Sequence, residues 1–213
     1  TYIMKIESKE KLAKLLATED LDIQHQQVDT AYFDVANRTL ILPVWKKEMP
    51  NNVYDLLVGH EVGHALFSPT NVERMKKAYE STSKACVNII EDARIEKMVK
   101  NRYPGLRKQF FSGYKYLTEQ DFFGITERPI HSMNILDRLN LHYKIGSHVD
   151  VPFSDEEEVY LEQIDNAKSF RDVEKIAKDI WAYAKIDNED KEEVFNKIMD
   201  EDLVNHTPHY NNG

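Results

Sequence analysis

The run GHEVGHALFSP, residues 59–69, carries two histidines and a glutamate at a spacing that could support metal chemistry. If the run is helical, His60 and His64 project from one face with Cβ atoms about 5–6 Å apart. Two imidazole nitrogens can then bind one tetrahedral ion such as zinc. Glu61 lies about 100° further round the helix, beside the ion rather than on it. It could therefore act as general base on a metal-bound water.

The alternative is an ordinary helix whose histidines belong to the core or the surface. Both histidines lie on an apolar stripe, however, on the face predicted to be buried. That stripe also contains Val53, Leu56, Leu57 and Phe67. Buried imidazoles need hydrogen-bond partners or a metal. Gly59 and Gly63 each cost about 1 kcal/mol in a helix interior, which indicates that another element packs closely against this helix.

A metal site needs at least one more protein ligand. A second helical run, SKACVNIIEDARIEKMVKNRY, begins at Ser83 and places Glu91 on its apolar stripe between Val87 and Ile95. A lone carboxylate there would be expensive, whereas coordinating a cation would stabilise it. The pattern therefore predicts Glu91 as third ligand, and an ion pair with Arg94 is the alternative.

Other residues could support such a site. Asp92 could hold the second ring nitrogen of a histidine, but a solvated helix face is the favoured interpretation for both Asp92 and Glu96. A tyrosine or histidine could stabilise an oxyanion. The sequence does not choose among the candidates, for each of which a core or surface role is the alternative: Tyr103, Tyr114, Tyr116, His131 and His142.

A β hairpin is predicted before the motif helix. Residues 28–35 and 39–45 are rich in β-forming side chains and are separated by three residues, Ala36 to Arg38. Pro43 lies in the second run and cannot donate to a ladder. Residues 39–45 are therefore predicted to form an edge strand.

The rest of the chain is predicted to be mainly helical. Helical periodicity recurs at 8–18, 130–143, 154–164, 169–186 and 189–201. The expected fold class is α+β, with a small antiparallel sheet beside a mainly helical C-terminal half. We expect one domain over 1–213, built from 1–50, the metal-binding helices 51–104 and the helical part 105–213, with a further domain after Gly213 as an open alternative.

Composition narrows the classes of partner. The net charge of −9 disfavours the phosphate backbone of a nucleic acid as the partner. A nucleic-acid-binding zinc protein would also need paired cysteines, and the sequence has one cysteine. The single cysteine, Cys86, cannot form an intrachain disulfide and is typical of a small buried side chain. No apolar run approaches 18 residues, so we expect a soluble cytoplasmic protein with no membrane contact. A protein or peptide is the expected partner.

The motif His60-Glu61-Val62-Gly63-His64, followed by a helix bearing Glu91, resembles the zincin metallopeptidases and in particular their gluzincin branch. The layout is also similar to uncharacterised peptidase-like proteins of bacteriophages and bacteria. The resemblance covers about residues 28–100. It implies a zinc-dependent peptidase with an edge strand just before the motif helix, where a substrate binds in extended form. The second hypothesis is a zincin-like binding or assembly module whose metal is structural, because a fold can outlast its chemistry.

Overall fold

The computed structural model describes residues 19–28, 32–34, 36–44 and 49–187. Within them lie three strands, seven α helices and two 3-10 turns, at Pro104–Leu106 and Ile130–Ser132. The strands are β1 (Asp22–Gln26), β2 (Tyr32–Asp34) and β3 (Thr39–Pro43). The helices are α1 (Asn51–Phe67), α2 (Val72–Ser81), α3 (Lys84–Arg102), α4 (Arg107–Glu119), α5 (Ile135–Ile145), α6 (Asp155–Asp165) and α7 (Phe170–Asp187). The expected α+β class is confirmed, whereas the helices predicted at 8–18 and 189–201 lie outside the described residues.

The sheet is mixed, in the order β1-β3-β2. β2 pairs antiparallel with β3, with Tyr32 opposite Ile41, so the predicted hairpin pairing is present. The prediction of a purely antiparallel sheet was wrong, because β1 runs parallel to β3 with Asp22 opposite Thr39. β1 has the sequence DIQHQ and is mostly exposed, so it lacks the apolar alternation by which a strand is recognised.

The prediction that residues 39–45 form an edge strand was also wrong. β3 is the central strand, with β1 on one side and β2 on the other. Pro43 is tolerated because the described pairing with β2 ends at Ile41, and because Val44 donates the hydrogen bond to Gln26 O on the β1 side (3.2 Å). A substrate cannot add to a strand whose two edges are occupied, so β3 does not offer the predicted peptide-binding edge.

The buried apolar side chains form two clusters. The first surrounds the inner face of the sheet, α1 and α4 and includes Leu40, Leu56 and Phe110. The second joins α2, the N-terminal half of α3, α5, α6 and α7 and includes Ile90 and Leu139. Helix α3 contributes Val99 to the first cluster and its N-terminal half to the second. It therefore spans both cores, and α1 packs along it.

Glycines set the close approach of the helices around α1, as predicted for Gly59 and Gly63. A Cβ atom at Gly63 would lie 2.8 Å from Cδ1 of Ile95 in α3 and 3.3 Å from its carbonyl oxygen. A Cβ at Gly59 would lie 2.9 Å from the ring of Phe110 in α4. On α4 itself, a Cβ at Gly113 would lie 2.8 Å from the carbonyl oxygen of Asn52. Two neighbours of α1 thus approach it at distances that exclude larger side chains.

The α5–α6 region is fixed by a capping box and an ion pair. Ser154 Oγ accepts from the Glu157 N–H, and the Glu157 carboxylate accepts from the Ser154 N–H. The guanidinium of Arg138 donates to both oxygens of the Glu157 carboxylate at 2.7 Å.

None of the helices in the described ranges has the length and apolar character needed to cross a bilayer.

Replacing Gly113 by alanine tests the approach of α4 to α1. The new methyl would meet the backbone oxygen of Asn52, which cannot rotate away, so we expect Gly113→Ala to lower the free energy of unfolding by about 1–3 kcal/mol. This loss should outweigh the ~1 kcal/mol by which alanine favours a helix. Gly105→Ala is the control, because no heavy atom lies within 4 Å of its Cβ position. Equal stability of the two variants in denaturant titrations would contradict this packing.

The ion pair of Glu157 predicts a dependence of stability on pH. Burial raises the pKa of Glu157, but hydrogen bonds from Arg138 and Ser154 outweigh it and lower the pKa from 4.5 to about 2. A carboxylate whose pKa is lowered by folding stabilises the fold at every pH above its pKa in the unfolded chain. This contribution is lost as the pH falls towards the folded-state pKa of about 2. Wild type should therefore exceed Glu157→Gln in unfolding free energy at pH 7, by a margin that shrinks below about pH 4.5. A margin independent of pH would argue against the ionised pair.

Candidate metal centre

Two histidine side chains of α1 face each other inside the protein. The Nε2 atoms of His60 and His64 lie 3.0 Å apart, as the i and i+4 positions of a helix allow. His60 is 0% exposed and His64 is 5% exposed. Two ring nitrogens are thus directed at one buried point.

Helix α3 supplies a third donor atom at the same point. Oδ1 of Asp92 lies 2.9 Å from Nε2 of His64 and 3.4 Å from Nε2 of His60. In a tetrahedral zinc site with bonds of about 2.0–2.1 Å, donor atoms are about 3.3 Å apart. The three separations, 3.0, 2.9 and 3.4 Å, are close to that value. His60, His64 and Asp92 therefore fit a small divalent metal ion, and all three are buried.

The second nitrogen of each ring is held by another side chain. Nδ1 of His60 lies 2.7 Å from Oε1 of Glu96, and Nδ1 of His64 lies 2.8 Å from Oγ of Ser68. When Nδ1–H of His60 donates to the Glu96 carboxylate, its Nε2 carries a lone pair. This outer hydrogen bonding is typical of metal-binding histidines, because it fixes the tautomer and the ring orientation.

Glu91, the predicted third ligand, contacts Arg94 in the structure. Its Oε1 accepts hydrogen bonds from Nε of Arg94 at 2.9 Å and from the Nη2 of the same guanidinium. Glu91 is not part of the group of three donors in the described residues, and the ion pair considered as its alternative is present. The acid beside the two histidines is the next residue, Asp92.

The rotation of α3 about its axis explains why Asp92, and not Glu91, lies beside the two histidines. The face turned towards α1 carries Asp92, Ile95 and Glu96, with Ile95 against Gly63. Arg94 extends from another face and donates to Phe67 O at 2.8 Å, near the C-terminus of α1. Burial raises the pKa of Glu91 to about 7, although the charge of Arg94 opposes this.

Glu61, the predicted general base, is 2% exposed. Burial raises its pKa to about 8, with His60 acting to lower it and Asp92 to raise it. The carboxyl group is thus close enough to the histidine and aspartate groups to sense their charges. A cation held there would favour the ionised form of Glu61, since an opposite charge lowers the pKa of a carboxyl.

Four buried carboxyl groups lie at or beside this centre. Glu61, Glu91, Asp92 and Glu96 are all at most 3% exposed. Two cations oppose them: Arg94 pairs with Glu91, and Nζ of Lys144 lies 3.4 Å from Oδ2 of Asp92. When the four carboxylates are ionised and both imidazoles are neutral, as metal binding requires, the carboxylates exceed these two cations by two charges. A divalent cation would balance that excess.

The ring nitrogens themselves respond to this charge. Burial lowers the pKa of His60, but Asp92 and Glu96 outweigh it and raise the pKa to about 9. Burial lowers the pKa of His64. Without a metal the cluster therefore retains a proton on His60, and a metal ion must compete with that proton for the ring.

Among the five oxyanion candidates, Tyr114 has a described connection to this centre. Its hydroxyl donates to Oε1 of Glu96, the oxygen that also lies against His60. Tyr114 thus contacts the carboxylate that holds the outer nitrogen of His60. The other four have different described contacts or exposure: Tyr103 donates to Glu19, Tyr116 packs against the first core cluster, His131 is exposed and His142 packs against Phe153.

Sequence reasoning missed the full roles of Ser68 and Glu96. The sequence pattern assigns no role at the metal site to Ser68, and it favours a solvated helix face for Glu96. The available signal was spacing, because Ser68 follows His64 by four residues and Glu96 follows Asp92 by four.

Comparison with known proteins returned no relative. No model of a protein family, no curated protein and no solved structure matches the chain. The resemblance to the zincins therefore rests on the residues of the motif, and the functional argument rests on the geometry of the centre.

The hydroxyl of Tyr114 yields a testable prediction. Tyr114→Phe removes the donor that orients Glu96, so we expect the dissociation constant for zinc to rise about tenfold. Tyr143→Phe is the matched control, because the Tyr143 hydroxyl also donates to a carboxylate, that of Asp165, which makes no described contact with His60 or His64. Isothermal titration with a competing chelator measures both constants. Equal zinc affinity in the two variants would show that Tyr114 has no role in positioning His60.

Proposed function

We propose that this chain is a zinc-dependent metallopeptidase in which His60, His64 and Asp92 hold the metal and Glu61 is the general base. The observation that carries the proposal is the convergence of two Nε2 atoms and one carboxylate oxygen on a single buried point. Glu96 and Ser68 hold the outer nitrogens of the same two rings. Two histidines that served only the packing of a helix would not require partners that direct both Nε2 atoms at one point.

The zinc ion, when bound, supplies a Lewis acid that polarises the substrate carbonyl and lowers the pKa of a coordinated water to about 7. The chain supplies orientation and proton transfer. Glu96 and Ser68 keep the two imidazoles directed at the centre. Glu61 accepts a proton from the attacking water and later returns it to the leaving nitrogen of the peptide.

The environment of Glu61 supports this role. Burial raises its pKa to about 8, and a cation bound at the centre would lower that pKa and favour the ionised form that accepts a proton. A general base is most effective when its pKa lies near the working pH. A purely structural metal site would gain nothing from a buried carboxyl at this position, and burying it destabilises the fold.

A second candidate function, a binding or assembly module with a structural metal, is favoured by the burial of the whole centre. His60, Glu61 and His64 are 0%, 2% and 5% exposed, respectively. A peptide could reach them only if the elements over the centre separated. A metal joining α1 to α3 would stabilise the fold whether or not a substrate ever entered.

Metal content and proteolysis measured on the same samples test the proposal. We expect about one zinc per chain in the wild type. His64→Ala and Asp92→Asn should lose the zinc, because the first removes a donor atom and the second replaces an anionic donor by a neutral, weaker amide oxygen. Glu61→Gln should retain zinc but lose cleavage of a casein-type substrate, and a loss of about 10²-fold or more would fit the removal of a general base. Near-UV circular dichroism checks that each variant is folded.

Glu91→Gln decides between the two adjacent acids. We expect it to retain zinc, since Glu91 is engaged by Arg94. Loss of zinc in Glu91→Gln with retention in Asp92→Asn would instead establish Glu91 as the third ligand. Zinc bound without cleavage would favour the binding module, and the absence of zinc from the wild type would return both histidines to an ordinary helix.

A further inference from the structure

The two oxygens of Asp92 have different neighbours. Oδ1 faces the Nε2 atoms of His60 and His64 at 3.4 and 2.9 Å. Oδ2 faces the ammonium of Lys144 at 3.4 Å. One carboxylate thus lies between a metal-binding pair of imidazoles and a buried lysine.

The position of Lys144 is unusual for a lysine. The residue is 6% exposed, and its side chain is 2% exposed. Lysine is almost never fully buried unless it is paired, and the ionic partner of Lys144 in the described part of the chain is Asp92. The residue lies in the last turn of α5, where the helix dipole also favours a cation. The fold therefore holds a positive charge against the outer side of Asp92.

We propose that Lys144 is a positioning residue that restricts Asp92 to one coordinating oxygen and thereby makes the centre selective for small four-coordinate ions such as Zn²⁺. This inference rests on the proposed function, because it requires that His60, His64 and Asp92 bind a metal. A carboxylate can coordinate through one oxygen or through both. With the ammonium opposite Oδ2, coordination through both oxygens would bring the metal ion towards the lysine charge.

The consequence for metal choice follows from coordination chemistry. Zinc accepts two imidazoles, one carboxylate oxygen and a fourth ligand in a tetrahedron. Manganese favours six ligands, largely oxygen, so it would gain more than zinc from a second carboxylate oxygen. Lys144 therefore disfavours manganese more than zinc. Its charge also weakens the binding of every divalent cation, but that effect does not change their relative affinities.

The test compares metal preference in wild type, Lys144→Met and Lys97→Met, all prepared as the full chain. Lys97→Met is the charge control, because Lys97 lies on the same helix as Asp92 but its ammonium donates to the Asp165 carbonyl. The measured quantity is the ratio of the dissociation constant for Mn²⁺ to that for Zn²⁺. We expect the ratio to fall about tenfold in Lys144→Met and to be unchanged in Lys97→Met.

Cobalt substitution gives a second readout that does not depend on activity. Four-coordinate Co²⁺ absorbs visible light more strongly than six-coordinate Co²⁺. The wild type and Lys97→Met should give the strong spectrum, and Lys144→Met should give a weaker one. If Lys144→Met does not fold, Lys144→Leu takes its place in both measurements.

The outcomes separate this inference from the proposed function. Zinc binding by the wild type with an unchanged metal ratio and cobalt spectrum in Lys144→Met would overturn the role of Lys144 and leave the metal centre standing. A wild type that binds neither zinc nor cobalt would overturn both. A lower ratio in Lys97→Met as well as in Lys144→Met would show that the ratio does not depend on the contact between Lys144 and Asp92, and it too would overturn the role of Lys144.

Discussion

The close crossing of α1 and α3 is the constraint on which the rest of the structure depends. Gly63 allows it, since a Cβ atom there would lie 2.8 Å from the Ile95 side chain. At this distance the histidines of α1 reach the acids of α3, with His64 against Asp92 and His60 against Glu96. A side chain at position 63 would move the two helices apart and separate donor atoms that now lie within 3.4 Å of one another. Helix packing therefore sets the spacing of the donor atoms in the proposed metal centre.

The charge buried at this crossing connects stability with function. Carboxylates enclosed by apolar side chains destabilise a fold unless cations or hydrogen bonds offset them. Here Arg94 offsets Glu91, and Lys144 offsets part of Asp92. The remaining negative charge lies around the two imidazoles, where a divalent ion would be most strongly attracted. The burial that raises the pKa of Glu61 also closes the centre to solvent, so the proposed metal and base would lie in an enclosed site.

The errors in predicting the sheet have a physical cause. Pro43 indicated an edge strand because proline cannot donate to a ladder, yet it lies just beyond the described β2 pairing, where the missing N–H has no consequence. The parallel partner β1 carries mostly exposed polar side chains, so no period of two marked it. The pairing of β2 with β3 was predictable, because both carry β-forming residues and three residues separate the two runs. Strand order depends on contacts that a local pattern does not contain.

The sequence by itself determined the local parts of the centre. Two histidines four residues apart share a helix face, an adjacent glutamate lies beside them, and glycines in a helix indicate a close neighbour; all three follow from the geometry of one helix. The sequence could not determine which of two adjacent acids, Glu91 or Asp92, would lie beside the histidines. Neighbouring residues differ by about 100° around the axis, so the answer depends on the rotation of α3 against α1. Only the tertiary structure decided that rotation, because it is set by Ile95 packing on Gly63 and by Arg94 binding the end of α1.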